Sequence, residues 1–378
     1  MNLRTWSLTK SLQPSPQWVI EDVIKLLIVD DSALMRRQLT QIFASAGDFE
    51  ICQARNGREA VEQNRTFQPD VVTLDINMPE MDGLTALSLI MAERPVAVVM
   101  VSSLTEKGAL ATFEALNLGA VDYIVKPDGT ISLTIDKITD ELVGKVRAAA
   151  RARIKGKTPP VNGLAQRMRD EREKIAVRPV VERRSIEEEG LVVIGVSTGG
   201  PRTLETILPQ LPADFPWPVL VAQHMPAAFT KSFSDRLSRI CALRVVEASS
   251  PMPVEPGTVY IAKGGADMVV TPRAGKLIVL PKPENSQHLW HPSVELLGRS
   301  VLEHCDPTLV TGVMLTGMGH DGSDAFTEIK QRGGRTIAES EESCVVFGMP
   351  KELIEKRGAS LVLPAERIAA QLNVWAGR

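Results

Sequence analysis

Residues 26–32 read LLIVDDS, four apolar residues followed at once by two aspartates and a serine. The pattern of a short apolar run that ends in a polar residue recurs at VVTLD (71–75), VAVVMVSS (96–103) and VDYIVK (121–126). Apolar runs of this length predict strands that are buried on both faces. The stretches between them have helical spacing, so this half of the chain predicts βαβ units in a parallel sheet.

The second half of the chain repeats this rhythm. Predicted strands lie at LVVIGV (191–196), VLVA (219–222), 310–315 and RTIA (335–338), and predicted helices at 292–303 and 323–331. Strands that alternate with helices again indicate a doubly wound parallel sheet. We therefore predict an α/β protein with two domains of this kind.

A segment rich in charged residues separates the two halves of the chain. Residues 145–189 hold 13 basic and 7 acidic side chains, three prolines and few apolar residues. Such a segment cannot bury enough apolar surface to offset the entropy of ordering, which predicts a linker. The expected organisation is an N-terminal extension (1–23), a first domain (24–147), the charged linker (148–189) and a second domain (190–378).

The composition excludes several classes of protein. A chain of 378 residues with 24% charged residues is typical of globular domains. Its net charge of −3 gives no overall attraction to nucleic acid or anionic lipid, and no apolar run is long enough to span a bilayer. The first 19 residues lack the apolar core of a secretory signal. The cysteines form no C-x-x-C pair, so we expect reduced thiols in a cytoplasmic protein; they are Cys52, Cys241, Cys305 and Cys344.

Polar residues at the ends of the first four predicted strands form the first candidate site. Asp30, Asp31, Asp75, Ser102 and Lys126 each lie where a strand ends, and the carboxyl ends of parallel strands meet at one edge of a sheet. Three carboxylates repel one another and need a cation, and oxygen ligands suit Mg²⁺. An aspartate at a strand end is by itself ordinarily a cap or turn residue. The joint placement instead favours a pocket that stabilises phosphoryl transfer to a carboxylate.

The motifs VDDS, LDINMPEMDG, VSS and VKP resemble the signature of response-regulator receiver domains, over residues 24–145. The resemblance implies a flavodoxin-like fold in which Asp75 accepts a phosphoryl group from a sensor histidine kinase. It also implies that Mg²⁺ is held by Asp31, Asp75 and the backbone carbonyl of Asn77. The remaining pocket residues are then Asp30, the switch hydroxyl of Ser102 and the phosphate-sensing amine of Lys126.

Three loops of the second half form the other candidate site. Ser197 follows a strand in GVSTGGP, where glycines allow a sharp turn that presents the hydroxyl. His224 follows a strand in AQHMP, and Asp321 follows a third strand in MLTGMGHDG. Taken singly, they are ordinarily a turn serine, a surface histidine and a helix cap. Because all three follow parallel strands, a nucleophile, a base and an orienting carboxylate can meet there.

GVSTG also satisfies the G-x-S-x-G pattern of α/β-hydrolases. In that fold the acid precedes the histidine along the chain. Here His224 precedes Asp321, and the order argues for a different scaffold.

GVSTGGP, QHMP and TGMGHDG, with YIA (260–262), HPSVELL (291–297) and GMP (348–350), resemble the catalytic domain of chemotaxis protein-glutamate methylesterases over residues 191–375. The resemblance implies a cofactor-free serine esterase. Ser197 would be the nucleophile, His224 the general base and Asp321 its orienting acid. Thr198 and Met318 would lie at the oxyanion site.

The two resemblances together imply hydrolysis of glutamate γ-methyl esters on methylated chemoreceptors, and deamidation of glutamine, activated by phosphorylation of a receiver that otherwise covers the cleft. The implied partners are these receptors and the kinase; nucleic acid is excluded, and the membrane is reached only through receptors. One alternative is a receiver-controlled esterase with another substrate. Another is a transcriptional regulator, against which the lack of a helix-turn-helix pattern and of a basic surplus speaks.

Overall fold

The structure is a computed structural model that describes residues 23–103, 105–126, 135–152, 190–284 and 287–377. Apart from Val23, the expected N-terminal extension lies outside these residues. The expected linker also lies outside them from residue 153 to residue 189.

Within the described residues the first domain is a five-stranded parallel sheet flanked by helices. The order of its strands is β2-β1-β3-β4-β5. The strands are β1 (Ile24–Val29), β2 (Phe49–Ala54), β3 (Val71–Asp75), β4 (Ala97–Ser102) and β5 (Asp122–Val125). The helices are α1 (Ala33–Ala46), α2 (Gly57–Thr66), α3 (Gly83–Glu93), α4 (Glu106–Leu118) and α5 (Ile135–Ala150).

Alternate residues of β1 show that both faces of this sheet are covered. Leu27 and Val29 join the apolar cluster built with α2, α3 and α4. Leu26 and Ile28 join a second cluster built with α1 and α5. The two clusters confirm the predicted doubly wound fold, a fold in which ligands bind at the carboxyl ends of the strands.

The second domain contains a seven-stranded parallel sheet in the order β15-β14-β13-β6-β7-β10-β8, and a three-stranded antiparallel sheet in the order β11-β12-β9, among the described residues. Its strands are β6 (Leu191–Val196), β7 (Val219–Gln223), β8 (Arg244–Ala248), β9 (Met252–Pro253), β10 (Thr258–Ala262), β11 (Ala266–Arg273), β12 (Lys276–Pro283), β13 (Val310–Met314), β14 (Arg335–Glu339) and β15 (Leu361–Leu363). Its helices are α6 (Gly200–Ile207), α7 (Ala227–Ile240), α8 (Val294–His304), α9 (Ser323–Gln331), α10 (Met349–Glu355) and α11 (Ala365–Trp375). The small antiparallel sheet was not predicted.

The two domains share an apolar interface. The ring of Phe113 on α4 stacks on Phe233 of α7, with centroids 5.5 Å apart, and meets the edge of Phe229 at 6.3 Å. Tyr123 on β5 stacks on Phe229 at 4.7 Å. Each such pair adds about 0.5–1.5 kcal/mol beyond the area it buries. The face formed by α4, β5 and α5 of the first domain is therefore held against the second.

Candidate active site and acidic pocket

The first site is an acidic pocket at the carboxyl edge of the first sheet. Asp30 and Asp75 are buried and Asp31 is exposed, and their carboxylate oxygens lie within 4.8 Å of one another. The ammonium of Lys126 bridges two of them, 3.0 Å from Asp30 Oδ2 and 2.9 Å from Asp75 Oδ2. The buried hydroxyl of Ser102 ends the neighbouring strand. The structure thus brings together the four charged residues predicted from the strand ends, and Ser102 follows Val101, the residue that pairs with Asp75 in register.

Burial and the neighbouring charges have opposing effects on the pKa of the Asp75 carboxyl. Burial raises its pKa, Lys126 lowers it, and the nearby Asp30 raises it again, so that the net shift is upward. The backbone amide of Asn77 also lowers the pKa of this carboxyl. An additional cation in the pocket would relieve the repulsion between the carboxylates.

The donor set fits a magnesium ion. Mg²⁺ binds oxygen at about 2.1 Å in octahedral geometry, so its ligands stand roughly 3–4 Å apart. The carboxylate oxygens of Asp30, Asp31 and Asp75 lie within 4.8 Å of one another, close to that spacing. The exposed Asp31 is the member that solvent, and hence a hydrated ion, can reach.

In the second domain, Ser197 and His224 lie one residue beyond the ends of neighbouring parallel strands. Val196 and Gln223 are paired in register, which places the next residue of each strand roughly 5 Å from the other in backbone position. The amide of His224 donates to the carbonyl of Val196 at 3.1 Å. Gly317 passes so close that a Cβ on it would lie 2.7 Å from Ser197 Cβ.

His224 and Asp321 form the contact predicted for them. His224 Nε2 lies 2.8 Å from Asp321 Oδ2, and both side chains are largely buried. Nδ1 of His224 is buried and has no hydrogen-bond partner among the described residues. One nitrogen of the imidazole is therefore oriented by a carboxylate, and the other has no partner among the described residues. His224 directly follows the strand next to the one that Ser197 follows.

Asp321 does not cap its own helix, because Gly322 is the N-cap of α9. It lies instead at the start of α8, where its carboxylate accepts hydrogen bonds from the hydroxyl of Ser293 and the amides of Val294 and Glu295, at 2.6–3.0 Å. Burial raises the pKa of Asp321, but His224 and these amides outweigh burial and lower it. The carboxylate is thus held ionised in a fixed orientation.

Gln223 is a site residue that was not predicted from the sequence. Its buried amide nitrogen donates to the carbonyl of Ser197 at 3.0 Å and to that of His224 at 3.1 Å. One side chain therefore ties together the two loops that carry the hydroxyl and the imidazole. Its position directly before His224, at the end of a buried strand, was the available signal.

The two predicted oxyanion residues border the first domain. The Thr198 hydroxyl donates to Asp122 Oδ2 of β5 at 2.6 Å, and both side chains are buried. The Met318 side chain touches α5 at Gly144, where an added Cβ would lie 3.2 Å from its terminal methyl. The first domain therefore covers the rim of the second site.

His288 and His291 have an H-x-x-H spacing that could suggest metal binding. His291 contacts Asp267 at 2.9 Å, and among the described residues the acidic pocket is the only group of three or more ligands suited to a metal. The four cysteines are free, and burial, aided by Glu205, raises the pKa of Cys241 to about 12. Within the described part of the chain, every helix is too short or too polar to cross a bilayer.

Two family models match the chain: CheB methylesterase over residues 192–372 and response regulator receiver domain over residues 26–135. Protein-glutamate methylesterase/protein-glutamine glutaminase 3 of Rhodospirillum rubrum is 56% identical over 94% of this chain and 96% of its own length. The enzyme numbered 2 of the same name from Rhodopseudomonas palustris is 53% identical, over 93% of this chain and 98% of its own length.

Two solved structures from Thermotoga maritima match the two halves. The CheB methylesterase catalytic domain is 41% identical with a TM-score of 0.48, covering 50% of this chain and 100% of that one. The response regulator domain of CheB is 50% identical with a TM-score of 0.32, covering 35% of this chain and 98% of that one.

Proposed function

The chain belongs to the protein-glutamate methylesterase/protein-glutamine glutaminase family, in which a receiver domain is joined to a CheB methylesterase domain, and from this premise we propose that Ser197, His224 and Asp321 are its catalytic triad. The substrates are glutamate γ-methyl esters and glutamine side chains of chemoreceptors, and phosphorylation of the receiver controls their hydrolysis. The observation that carries the proposal is the His224–Asp321 contact, with the second imidazole nitrogen left free beside the serine loop.

Acylation begins at the serine. With Nε2–H donated to Asp321, Nδ1 of His224 has a free lone pair and takes the hydroxyl proton as Ser197 Oγ attacks the γ-carbonyl carbon. The tetrahedral intermediate collapses, the C–O bond to the methoxy group breaks, and His224 returns the proton to give methanol. From glutamine the same step releases ammonia.

In deacylation, water takes the place of Ser197 as the nucleophile, and the serine oxygen becomes the leaving group. Water attacks the acyl-enzyme as His224 takes one of its protons, and the ester bond to Ser197 breaks while the serine oxygen regains a proton from the imidazolium. The products are glutamate and free enzyme. The lowered pKa of Asp321 keeps it ionised, so it stabilises the imidazolium formed in both steps.

The oxyanion site follows from the loops. We assign stabilisation of the developing negative charge to the backbone amides of Thr198 and Met318, since these residues follow Ser197 and the adjacent Gly317. Gly199 has a φ of +80°, a conformation that favours glycine and turns the chain into α6 directly behind the serine. The first domain contacts the side chains of both assigned residues, which supports control of this site by the receiver.

Phosphorylation would act through the acidic pocket. We assign the acceptor role to Asp75, magnesium binding to Asp31, Asp75 and the carbonyl of Asn77, and phosphoryl contacts to Ser102 and Lys126. Bound Mg²⁺ supplies charge neutralisation for transfer from the kinase. A phosphoryl group adds about two negative charges. This added charge biases the receiver away from the closed arrangement, in which it contacts Thr198 and Met318. We place the protein in the cytoplasm.

The test is methanol release from membranes that carry methylated receptors, with and without the small phosphodonor acetyl phosphate. Wild-type protein should release methanol faster with the phosphodonor. Ser197→Ala should lower turnover on the order of 10³-fold or more, whereas Ser249→Ala, at an exposed serine of the same domain, should not.

Two outcomes would count against the proposal. Near-normal turnover by the Ser197→Ala protein would remove this residue from the role of nucleophile. Release of methanol from soluble methyl esters, but not from methylated receptors, would point to a receiver-controlled esterase with a different substrate.

A further inference from the structure

An indole ring lies flat against the imidazole of His224. The Trp290 and His224 rings are parallel within 3°, with centroids 5.5 Å apart. Trp290 is half-buried on the loop before α8, and its neighbour Leu289 is 78% exposed. A tryptophan at the rim of a site, in contact with a histidine, is not explained as core packing.

The indole is held on two sides. Gly319 has a φ of +85°, and a Cβ on it would lie 2.9 Å from the indole, so only glycine leaves room for the ring there. The rings of His320 and Trp290 meet edge to face, with centroids 5.6 Å apart and planes at 84°. The indole of Trp290 therefore packs against the turn at Gly319, in the loop that carries Asp321.

The chain after Trp290 is anchored to a buried carboxylate. Asp267, which is 1% exposed, accepts from His291 Nδ1 at 2.9 Å and from the Ser293 amide at 2.8 Å. This anchor fixes the backbone directly beside Trp290. The position of the indole is thus determined by the fold and not by the contact with His224 alone.

The same segment also holds Asp321. Besides His224, its carboxylate accepts hydrogen bonds from three donors in this segment, on Ser293, Val294 and Glu295. Residues 290–295 therefore contact both members of the His–Asp pair, the imidazole through a ring face and the carboxylate through hydrogen bonds. Any shift of the segment would move both.

We propose that Trp290 is a positioning residue of the triad: its indole fixes the plane of the His224 ring and presents an electron-rich face to the imidazolium that forms during proton transfer. The inference rests on the proposed function, because it assigns a residue to the same reaction. Without the indole, the ring loses the parallel surface that packs on its face, and it can tilt about the line from its Cβ to the hydrogen bond with Asp321. Tilting misdirects Nδ1, and loss of the π-face removes a cation–π contact.

The size of the effect follows from these terms. A partly desolvated cation–π contact corresponds to about 2- to 30-fold in rate. We therefore expect Trp290→Leu to lower kcat by roughly 3- to 30-fold, with KM unchanged, because the lost interaction is made with His224 and strengthens in the transition state. Trp290→Phe keeps a ring face and should stay within about threefold of wild type.

The experiment uses the full chain activated with acetyl phosphate. Methanol release from methylated receptor membranes gives kcat and KM, and the rate at which a fluorophosphonate reacts with Ser197 reports on serine activation without any receptor. Both kcat and the fluorophosphonate rate should fall in the Trp290→Leu protein and recover in the Trp290→Phe protein. Trp375→Leu, at a half-buried tryptophan of the last helix, is the matched control and should leave both unchanged.

Thermal unfolding identifies a variant that has simply lost stability, and Trp290→Met then replaces Trp290→Leu. Unchanged kcat in a folded variant overturns the inference, as does a rise in KM alone, or a Trp290→Phe protein as slow as Trp290→Leu. An active Ser197→Ala protein would overturn the proposed function instead. Loss of activity on Ser197→Ala with no effect at Trp290 would overturn only the present inference.

Discussion

Replacement of Asp122 by alanine should release the receiver from the esterase site. In the closed arrangement, Asp122 Oδ2 accepts the Thr198 hydroxyl at 2.6 Å, and the two side chains are 5% and 2% exposed. The Lys145 ammonium lies 3.8 Å from the same carboxylate and donates to the carbonyl of Tyr123. Removing the carboxylate therefore breaks a buried cross-domain hydrogen bond and weakens the pairing of a buried cation.

The magnitude can be estimated from the hydrogen bond alone. A hydrogen bond to a charged group contributes about 1.5–3 kcal/mol. If this energy stabilises only the closed arrangement, Asp122→Ala shifts the closed-to-open ratio by roughly 10- to 150-fold. Methanol release without phosphodonor should rise by that factor until it reaches the rate of the phosphorylated wild type. Asp122→Asn retains an acceptor and should give a smaller rise.

The assay compares methanol release from methylated receptor membranes in the absence of acetyl phosphate. Asp140→Asn removes a carboxylate from an exposed position of the same domain and should leave the basal rate unchanged. Because Asp122 Oδ1 also accepts from the amide of Tyr123, thermal unfolding must show that the receiver is intact. A folded Asp122→Ala protein with a basal rate within twofold of wild type would show that this contact does not hold the receiver over the esterase site.

Three further measurements test other parts of the structure. Mg²⁺ at ten times its dissociation constant should stabilise the receiver by about 1.4 kcal/mol; Asp31→Asn should abolish the rise in melting temperature, and an equal rise in that variant would exclude the acidic pocket. A chain that starts at Leu191 should release methanol without phosphodonor faster than the unphosphorylated full chain; an equal or lower rate would contradict inhibition by the receiver. The pKa of Asp321 is lowered in the folded state, so the stability that its ionised form contributes is present above the unfolded pKa of about 3.9 and is lost as the pH falls below that value. Asp321→Asn should therefore flatten the acid limb of a plot of melting temperature against pH. An unchanged acid limb would show that Asp321 makes no such contribution.

The positions of the candidate site residues could be predicted because parallel sheets gather the ends of their strands. Asp30, Asp75 and Lys126 were placed at strand ends from apolar runs alone, and the structure brings them within contact distance. The same rule placed His224 beside Asp321, although 97 positions separate them. Strong apolar runs fixed the strands, and topology then fixed their ends.

Weakly patterned segments escaped prediction. The edge strand β2 reads FEICQA and is only half-buried, so it lacks the continuous apolar run of the inner strands. Strand β12 contains Pro281 and Pro283, residues that argue against a strand unless a neighbour on one side is missing. Its partner β9 is two residues long and pairs only with Ile278 and Val279, so the prolines lie where that neighbour is absent.

Contacts between the domains and between loops could not be predicted from the local sequence pattern either. Asp122 is one polar residue within a buried strand, and only the docking of two domains makes it a partner of Thr198. Trp290 contacts His224 because of how the loop before α8 is anchored at Asp267. Such contacts depend on the relative placement of whole elements, which hydrophobic periodicity does not specify.

Strand β5 connects the two sites in one short segment. It carries Asp122 and Tyr123 at its start, both in contact with the second domain, and it leads into Lys126, which bridges Asp30 and Asp75. Four residues of extended chain span about 13 Å. A displacement of Lys126 that follows a change in its partners can therefore reach the Asp122 contact along this strand, without an intermediate element. A phosphoryl group on Asp75 competes for this ammonium. We therefore expect Asp122→Ala to raise basal activity and to shrink the further gain from phosphodonor, because both changes act on the same strand and the same contact.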